Sequence, residues 1–350
     1  MRLLGLDLGT KHIVLAFRDE NGKIAHKYEI NGYLTIPRAD QFTENILKQS
    51  AIPYVTRGEE FIAFGSKAEK LAYGFNKTLQ RPMAHGGVSM LNEDAQEVIA
   101  IIIKSIIGKL KDDATLYFCT TADPINSKNI NIDFHRKIVK LIIESYKTDT
   151  KKEDGQEIKI AAHHINEARC LIMDQLDGPA IGISWGAGTV TVHAGVMGVQ
   201  AFEFSIVGSG DWIDIEAAKR FGYEPDNPRK ESPETPTTIC RRKEKLDLSK
   251  LPDDNVDRAI YLMYEILIEN VVKQLVIGLQ DYKDKFRAAD PVPVINAGGT
   301  CMPNGFMDIF KRQIDKVKDK LAVPIGTITR AEDPLFAVAH GCLKAAEFHK

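Results

Sequence analysis

The sequence predicts an α/β protein of two lobes, and three observations carry that prediction. Short β-type runs alternate with segments of helical period. The order strand, glycine-threonine turn, strand, strand occurs twice, once at the N-terminus and once from Pro179, as an internal duplication would leave it. The 350 residues, 44% apolar and 27% charged, have globular composition and suffice for two domains at about 150 residues each.

Taken in order, RLLGL, HIVLAF and KIAHKYEI read as a three-strand meander, with Asn21-Gly22 as a tight turn between the last two. Residues 92–109 have helical spacing through Val98, Ile101, Ile102, Ser105 and Ile106. The strand TLYFC and a helix over Phe134 to Tyr146 follow, and the hydrophilic run 147–159 reads as an exposed loop between the halves. PAIGIS then leads into the turn WGAGT and the strands TVTVHAG and VQAFEFSI. The charged, proline-rich stretch 223–255 suits a small edge subdomain. One long helix from Val256 to about Lys285, the strand PVPVIN, the turn AGGT, a helix over MPNGFMDIFKRQIDKVKDKL, the strand IGTITR and a helix from Pro334 complete the chain. The expected division is 1–155 with a small subdomain at about 32–78, and 156–350 with one at about 222–256, the last helix returning to the first lobe.

With 46 basic against 48 acidic side chains, bulk charge favours neither nucleic acid nor an anionic membrane. Five scattered cysteines without a CxxC pair fit a reducing cytoplasm, the expected location. The start, MRLLGLDLGT, reads as neither secretory signal nor anchor. His163-His164 is rejected as a metal pair, because neighbours on a strand face opposite ways.

Three glycine-rich turns each follow a β run: Asp7-Leu8-Gly9-Thr10, Gly186-Ala187-Gly188-Thr189 and Gly298-Gly299-Thr300. Glycine lets the backbone approach a ligand closely, and successive N–H groups with a threonine hydroxyl form a nest for an anion such as phosphate. A single such turn is most often an ordinary turn; three in this order are more specific.

That order, with the tail AEDPLFAVAHGCLKAAEF, resembles the actin/Hsp70 ATPase superfamily, most closely its bacterial actin (MreB-like) branch. The segments IPYVTRGEEFIAFGSKAEKLA, QRPMAHGGV and GSGDWID resemble segments at the same places in bacterial actins. The resemblance implies the actin-like ATPase fold: two lobes, each with a central mixed sheet flanked by helices, and a cleft between them for ATP and Mg²⁺. It casts Asp7 as the carboxylate that holds Mg²⁺ through water. Gly9, Thr10 and Lys11 would line the β- and γ-phosphates, with Gly186, Ala187, Gly188 and Thr189 opposite them and Gly210 and Asp211 following. Gly298, Gly299 and Thr300 would form the adenosine-side loop, and Arg242 and Lys245, in RRKEKLDLS, would lie near the base.

Two departures bear on turnover. The second phosphate turn of the family opens on Asp, where this chain has Ser184. The family's water-activating Glu falls here on Asp133 or His135, no Glu occurs from the strand TLYFC until Glu144, and Glu167 is the reserve candidate. Loss of a group that positions the water lowers rates by about 10²- to 10⁴-fold, so slow hydrolysis is expected. The implied function is a protein that polymerises head to tail with itself into ATP-dependent cytoskeletal filaments, with hydrolysis destabilising the polymer. The alternatives are a non-polymerising nucleotide-dependent switch or chaperone-like adaptor, and, last, a small-molecule kinase. The loop GKLKDDA is charged, so direct membrane binding is not expected and attachment would need an adaptor.

Overall fold

The computed structural model describes residues 2–38, 41–75, 77, 79–88, 93–128, 130–146, 155–174, 177–227 and 232–349. Most of the hydrophilic run expected as an interlobe loop, 147–154, and positions 228–231 of the proline-rich stretch lie outside the described residues.

The chain runs β1 (Arg2–Leu8), β2 (His12–Arg18), β3 (Ile24–Ile30), β4 (Tyr33–Pro37), α1 (Gln41–Gln49), β5 (Tyr54–Arg57), β6 (Glu60–Phe64), α2 (Gly65–Gly74), β7 (Met83–Ala84), β8 (Gly87–Val88), α3 (Glu93–Ile107), β9 (Ala114–Thr120), α4 (Ile132–Glu144) and β10 (Ile160–Asn166). It continues with α5 (Glu167–Cys170), β11 (Pro179–Trp185), β12 (Thr189–Val196), β13 (Val199–Val207), α6 (Gly210–Lys219), α7 (Pro236–Lys243), α8 (Asn255–Asp281), β14 (Val292–Ala297), α9 (Phe306–Val317), β15 (Ile325–Arg330) and α10 (Ala337–Phe348). Two short 3₁₀ turns, Gly299–Cys301 and Lys318–Lys320, flank α9.

Two compact units result: Met1–Thr120 with Asn131–Ile165 and Cys342–Lys350, and Thr121–Ile130 with Asn166–Gly341. The expected division after residue 155 thus moves past β10, because that strand is the edge of the first unit's sheet. Residues 121–130 fall to the second unit: Asn126 donates to Val207 O and accepts from Val207 N, both at 2.8 Å. The last helix begins at Ala337, after a turn in which Phe336 N donates to Asp333 O, and its residues from Cys342 on belong to the first unit.

The first unit holds a five-stranded sheet in the order β10-β9-β1-β2-β3, and the second holds one in the order β13-β12-β11-β14-β15. Strand for strand these are one topology: β1 and β11 each pair antiparallel with the next strand and parallel with the later β9 or β14. The early strands are buried along most of their length, as sheets covered on both faces require. The first unit's core joins Leu4, Leu6 and Ile13 to Ile102 and Ile106 of α3 and Val139 of α4. Leu110, the one leucine of the charged GKLKDDA loop, is buried there too. A separate three-stranded sheet, β4-β6-β5, packs with α1 and α2 around Leu34, Leu47 and Phe61. The second core places Trp185 edge-on to Phe306 and Phe310, under α8.

The stretch expected as a small edge subdomain contains a capped helix. Thr235 and Thr238 form a reciprocal capping box with Pro236 at the first turn, which starts α7.

Candidate functional site

In the first unit β1 delivers Asp7 and ends in the turn Gly9–His12, closed by a bond from Gly9 N to His12 O of 3.0 Å. A β-carbon on Gly9 would lie 2.8 Å from that carbonyl, so the turn admits only glycine. Asn31, fully buried, braces it: its Nδ2 donates to Gly9 O at 2.9 Å and its backbone N to Lys11 O at 2.9 Å. Buried Thr10 accepts a bond from Gly86 N at 3.3 Å through Oγ1. Lys11 is half-buried beside it.

Asp7 is half-buried, and the Cys119 thiol, on the neighbouring β9, donates to its Oδ1 at 3.3 Å. Desolvation pushes the Asp7 carboxyl up to about 6, a rise the thiol bond only partly offsets. A carboxylate this poorly solvated gains from a cation.

In the second unit the matching turn is closed by Gly186 N to Thr189 O, again 3.0 Å, and a β-carbon on Gly186 would lie 3.0 Å from that oxygen. Gly186 O then collects three donors: Ser209 Oγ and Thr300 Oγ1, each at 2.7 Å, and Gly210 N at 3.3 Å. Gly208 N to Gly188 O at 3.0 Å and Asp211 N to Ala187 O at 2.8 Å complete the join. One carbonyl therefore ties together the three segments that the sequence marks separately, Gly186–Thr189, Gly210-Asp211 and Gly298–Thr300. Gly298 has φ of 102°, and a β-carbon there would lie 2.3 Å from Trp185 O. Thr189 and Thr300 are buried, Asp211 is half-buried and Gly299 is exposed.

Ser184 lies within β11, level with Ala297, and is 4% exposed. By spacing before the turn glycine it is the counterpart of Asp7, and it brings a hydroxyl where Asp7 brings a carboxylate.

Of the RRKEK run it is Lys243 that reaches these loops. Arg242 is held by Asp254 at 2.5 Å and Asp257 at 2.9 Å, and Lys245 is exposed. Lys243 is instead buried, with Nζ 2.6 Å from Gly210 O and 2.7 Å from the Asp214 carboxylate, itself 4% exposed. The signal was available: Lys243 is four residues after Ile239, and the two share the buried face of α7.

The candidate bases separate. Asp133, in the first turn of α4, points to solvent with its side chain 73% exposed and bonds Arg136 at 3.1 Å. His135 is fully buried and its Nδ1 accepts from Val88 N at 3.4 Å; burial first, then the nearby positive charge, pushes the imidazole down to about 4. His135 is thus a neutral acceptor gripping the β7–β8 hairpin, whose Gly86 meets Thr10. Glu167 is half-buried at the start of α5, which Asn166 caps by accepting from Ala168 N and Arg169 N at 2.8 and 3.1 Å. Glu144 lies at the far end of α4, where it accepts from Ala162 N at 3.4 Å. His163 stacks on Tyr117 while His164 bonds Thr120, so the pair does face two ways. Among the described residues no cluster of three His, Cys, Asp or Glu could hold a metal, and no helix is long and apolar enough to cross a membrane.

Residues 2–346 match the profile of one protein family, described as Volactin. No curated protein matches the chain in sequence. Among solved structures it is similar to a MamK double helical filament (TM-score 0.67, 16% identity, 98% of each chain). A non-polymerising point mutant of MamK bound to AMPPNP follows, with TM-score 0.55, 17% identity and 99% of each chain covered. The ethanolamine utilization protein EutJ from Carboxydothermus hydrogenoformans matches at TM-score 0.52 and 13% identity, over 98% of this chain and 90% of that one. At these identities the likeness is one of fold, and the fold is that of the actin-like ATPases.

Proposed function

The chain belongs to the Volactin family, and we propose that it is an actin-like nucleotide-binding protein that polymerises head to tail into cytoskeletal filaments in the presence of ATP, with slow hydrolysis destabilising the polymer. The observation that carries the reading is the convergence of three glycine-rich segments on Gly186 O. Such a knot holds backbone N–H groups and small residues in fixed positions, the arrangement that phosphate binding requires. The double helical filament of one structural neighbour and the AMPPNP bound to another support the same reading.

Mg²⁺ fits Asp7: a desolvated carboxylate that accepts a weak bond from a thiol has acceptor capacity to spare for a hydrated cation. Bound there, the ion would neutralise phosphate charge and so let nucleotide approach a carboxylate. Asp7 would hold it through water, while Gly9, Thr10 and Lys11 face the β- and γ-phosphates. The turn Gly186 to Thr189 would grip phosphate by backbone, Gly210 and Asp211, whose N–H groups bond Gly186 O and Ala187 O, would hold that turn in shape, Gly298 to Thr300 would lie against adenosine, and Lys243 would keep Gly210 in place. Ser184 removes one carboxylate from the metal's surroundings, and His135 is neutral and closed off. Both support slow turnover, with the water left to Asp133 or Glu167. The expected cytoplasmic location has the support of five scattered cysteines, four of them buried.

The test is pelleting and electron microscopy of the purified chain with Mg²⁺ and ATP, ADP or no nucleotide. Filaments that need ATP are the expected result. A chain that binds nucleotide yet stays in the supernatant throughout would instead be the nucleotide-dependent switch, the reading that Ser184 favours.

A further inference from the structure

Helix α8 buries one face in the second core through Met263, Leu267, Val271 and Leu275. Its opposite face is not the polar surface that a solvent-facing helix ordinarily shows. Leu262, Ile266 and Ile277 are 47%, 47% and 50% exposed there. Between the last two lie Glu269 and Lys273, with side chains 48% and 62% exposed and joined to each other at 2.6 Å. The steps from 262 to 266, 269, 273 and 277 are of three or four residues. At about 100° per residue they stay on one narrow stripe, the spacing of a helix-pairing seam.

We propose that this stripe is a self-association surface, on which α8 pairs antiparallel with α8 of a second copy of the chain. The order of charges selects this occupant. In an antiparallel pair with its two-fold axis level with residue 271, Glu269 of each copy faces Lys273 of the other, and Ile266 comes to rest beside Ile277. An in-register parallel pair sets Glu269 against Glu269 and Lys273 against Lys273, which costs energy in proportion to how well water is excluded. The same patch used twice is the isologous contact of a two-fold dimer, distinct from the head-to-tail contact that builds a filament. Three half-exposed aliphatic side chains and two ion pairs amount to much less than the roughly 1,600 Å² of a standard stable interface, so the contact is weak in free chains. Arrayed along a polymer it would act many times over and draw two filaments together.

The experiment is sedimentation of the full chain, without nucleotide and at rising concentration up to about 1 mM, beside electron microscopy of any polymer. The variants are Ile266→Glu, Glu269→Lys, Lys273→Glu and the double reversal E269K/K273E; all change exposed positions, and an unchanged thermal melt shows that each still folds. The expected result is concentration-dependent dimerisation of the unaltered chain, weakened about tenfold by Ile266→Glu, weakened about threefold or more by either single reversal, and restored by the double reversal. The proposal is overturned if the chain stays monomeric throughout, if Ile266→Glu changes nothing, or if the double reversal fails to rescue the single ones. Single, unpaired ATP-dependent filaments from a chain that never dimerises would sink this inference and leave the proposed function standing. Rescue by the double reversal in a chain that never forms filaments would do the opposite.

Discussion

The two glycine turns that end β1 and β11 differ by almost nothing in the backbone and by a full charge in chemistry. Each closes with a 3.0 Å bond from the turn glycine to the carbonyl three residues on, and each would bring a β-carbon up against that carbonyl, to 2.8 Å in the first turn and 3.0 Å in the second. Yet the first carries Asp7, with Cys119 donating to it, where the second carries Ser184 level with Ala297. The braces differ too. The first turn hangs on a neutral amide, Asn31, while the segments around the second are pinned by the buried Lys243–Asp214 pair. A repeated fold can therefore keep its turn geometry, which hydrogen bonding dictates, while the charges placed on it diverge.

The largest expected effect breaks the second brace. Lys243→Met leaves Asp214 buried without its cation and should cost about 3–5 kcal/mol, against about 1–2 kcal/mol for Asn31→Ala. Urea denaturation of both variants checks the ranking; equal losses would mean that the brace's charge is immaterial.

Restoring the missing symmetry comes next. Ser184→Asp puts a carboxylate at a 4% exposed position, and about 2–3 kcal/mol of stability should be lost without ligand. Under the proposed slow ATPase activity, ATP hydrolysis by this variant in Mg²⁺ should rise above the parent's; an unchanged rate would count against Ser184 as the residue that limits it.

Removing the charge from the first turn acts in the other sense. Asp7→Asn should weaken Mg²⁺-dependent nucleotide binding by about 10- to 100-fold, read by calorimetry. At pH 7 without ligand the same change should stabilise the chain by about 1–2 kcal/mol, since a carboxyl raised to about 6 is penalised once ionised.

The smallest effect is on pH dependence. Asp7 takes up its proton more readily in the folded chain, so acidification from about pH 6 to 4 stabilises through it. His135, held down at about 4, takes up its proton less readily than when unfolded; its contribution is full above about pH 6.5 and is lost as pH falls through 4. The two oppose each other within the first unit. Thermal melts of the parent chain should vary little between pH 6.5 and 4, whereas Asp7→Asn should lose about 2–3 kcal/mol over that range.

Periodicity and turn chemistry are local properties, and they sufficed for the alternation of strands and helices, for the two β-meanders and for all three glycine turns. Their limits show at residues 121–130, which leave the first unit because Asn126 and Ile125 pair with Val207 and Ser205. The candidate site divides in the same way. Gly9, Gly186 and Gly298 are legible because a tight turn after a β run calls for glycine, and Asp7 is legible through the resemblance of its turn to the actin/Hsp70 superfamily. Cys119, Asn31, Ser209 and Lys243 are not, since each matters only through a partner brought to it from another element. The sequence by itself determined where the backbone must turn tightly and which residue type each turn can take. Only the tertiary structure decided that Lys243 rather than Arg242 or Lys245 enters the buried network, and that His135 is sealed as a neutral acceptor. The physical reason is that burial and charge pairing depend on what lies across the fold, whereas helical period and glycine conformation depend on what lies next along the chain.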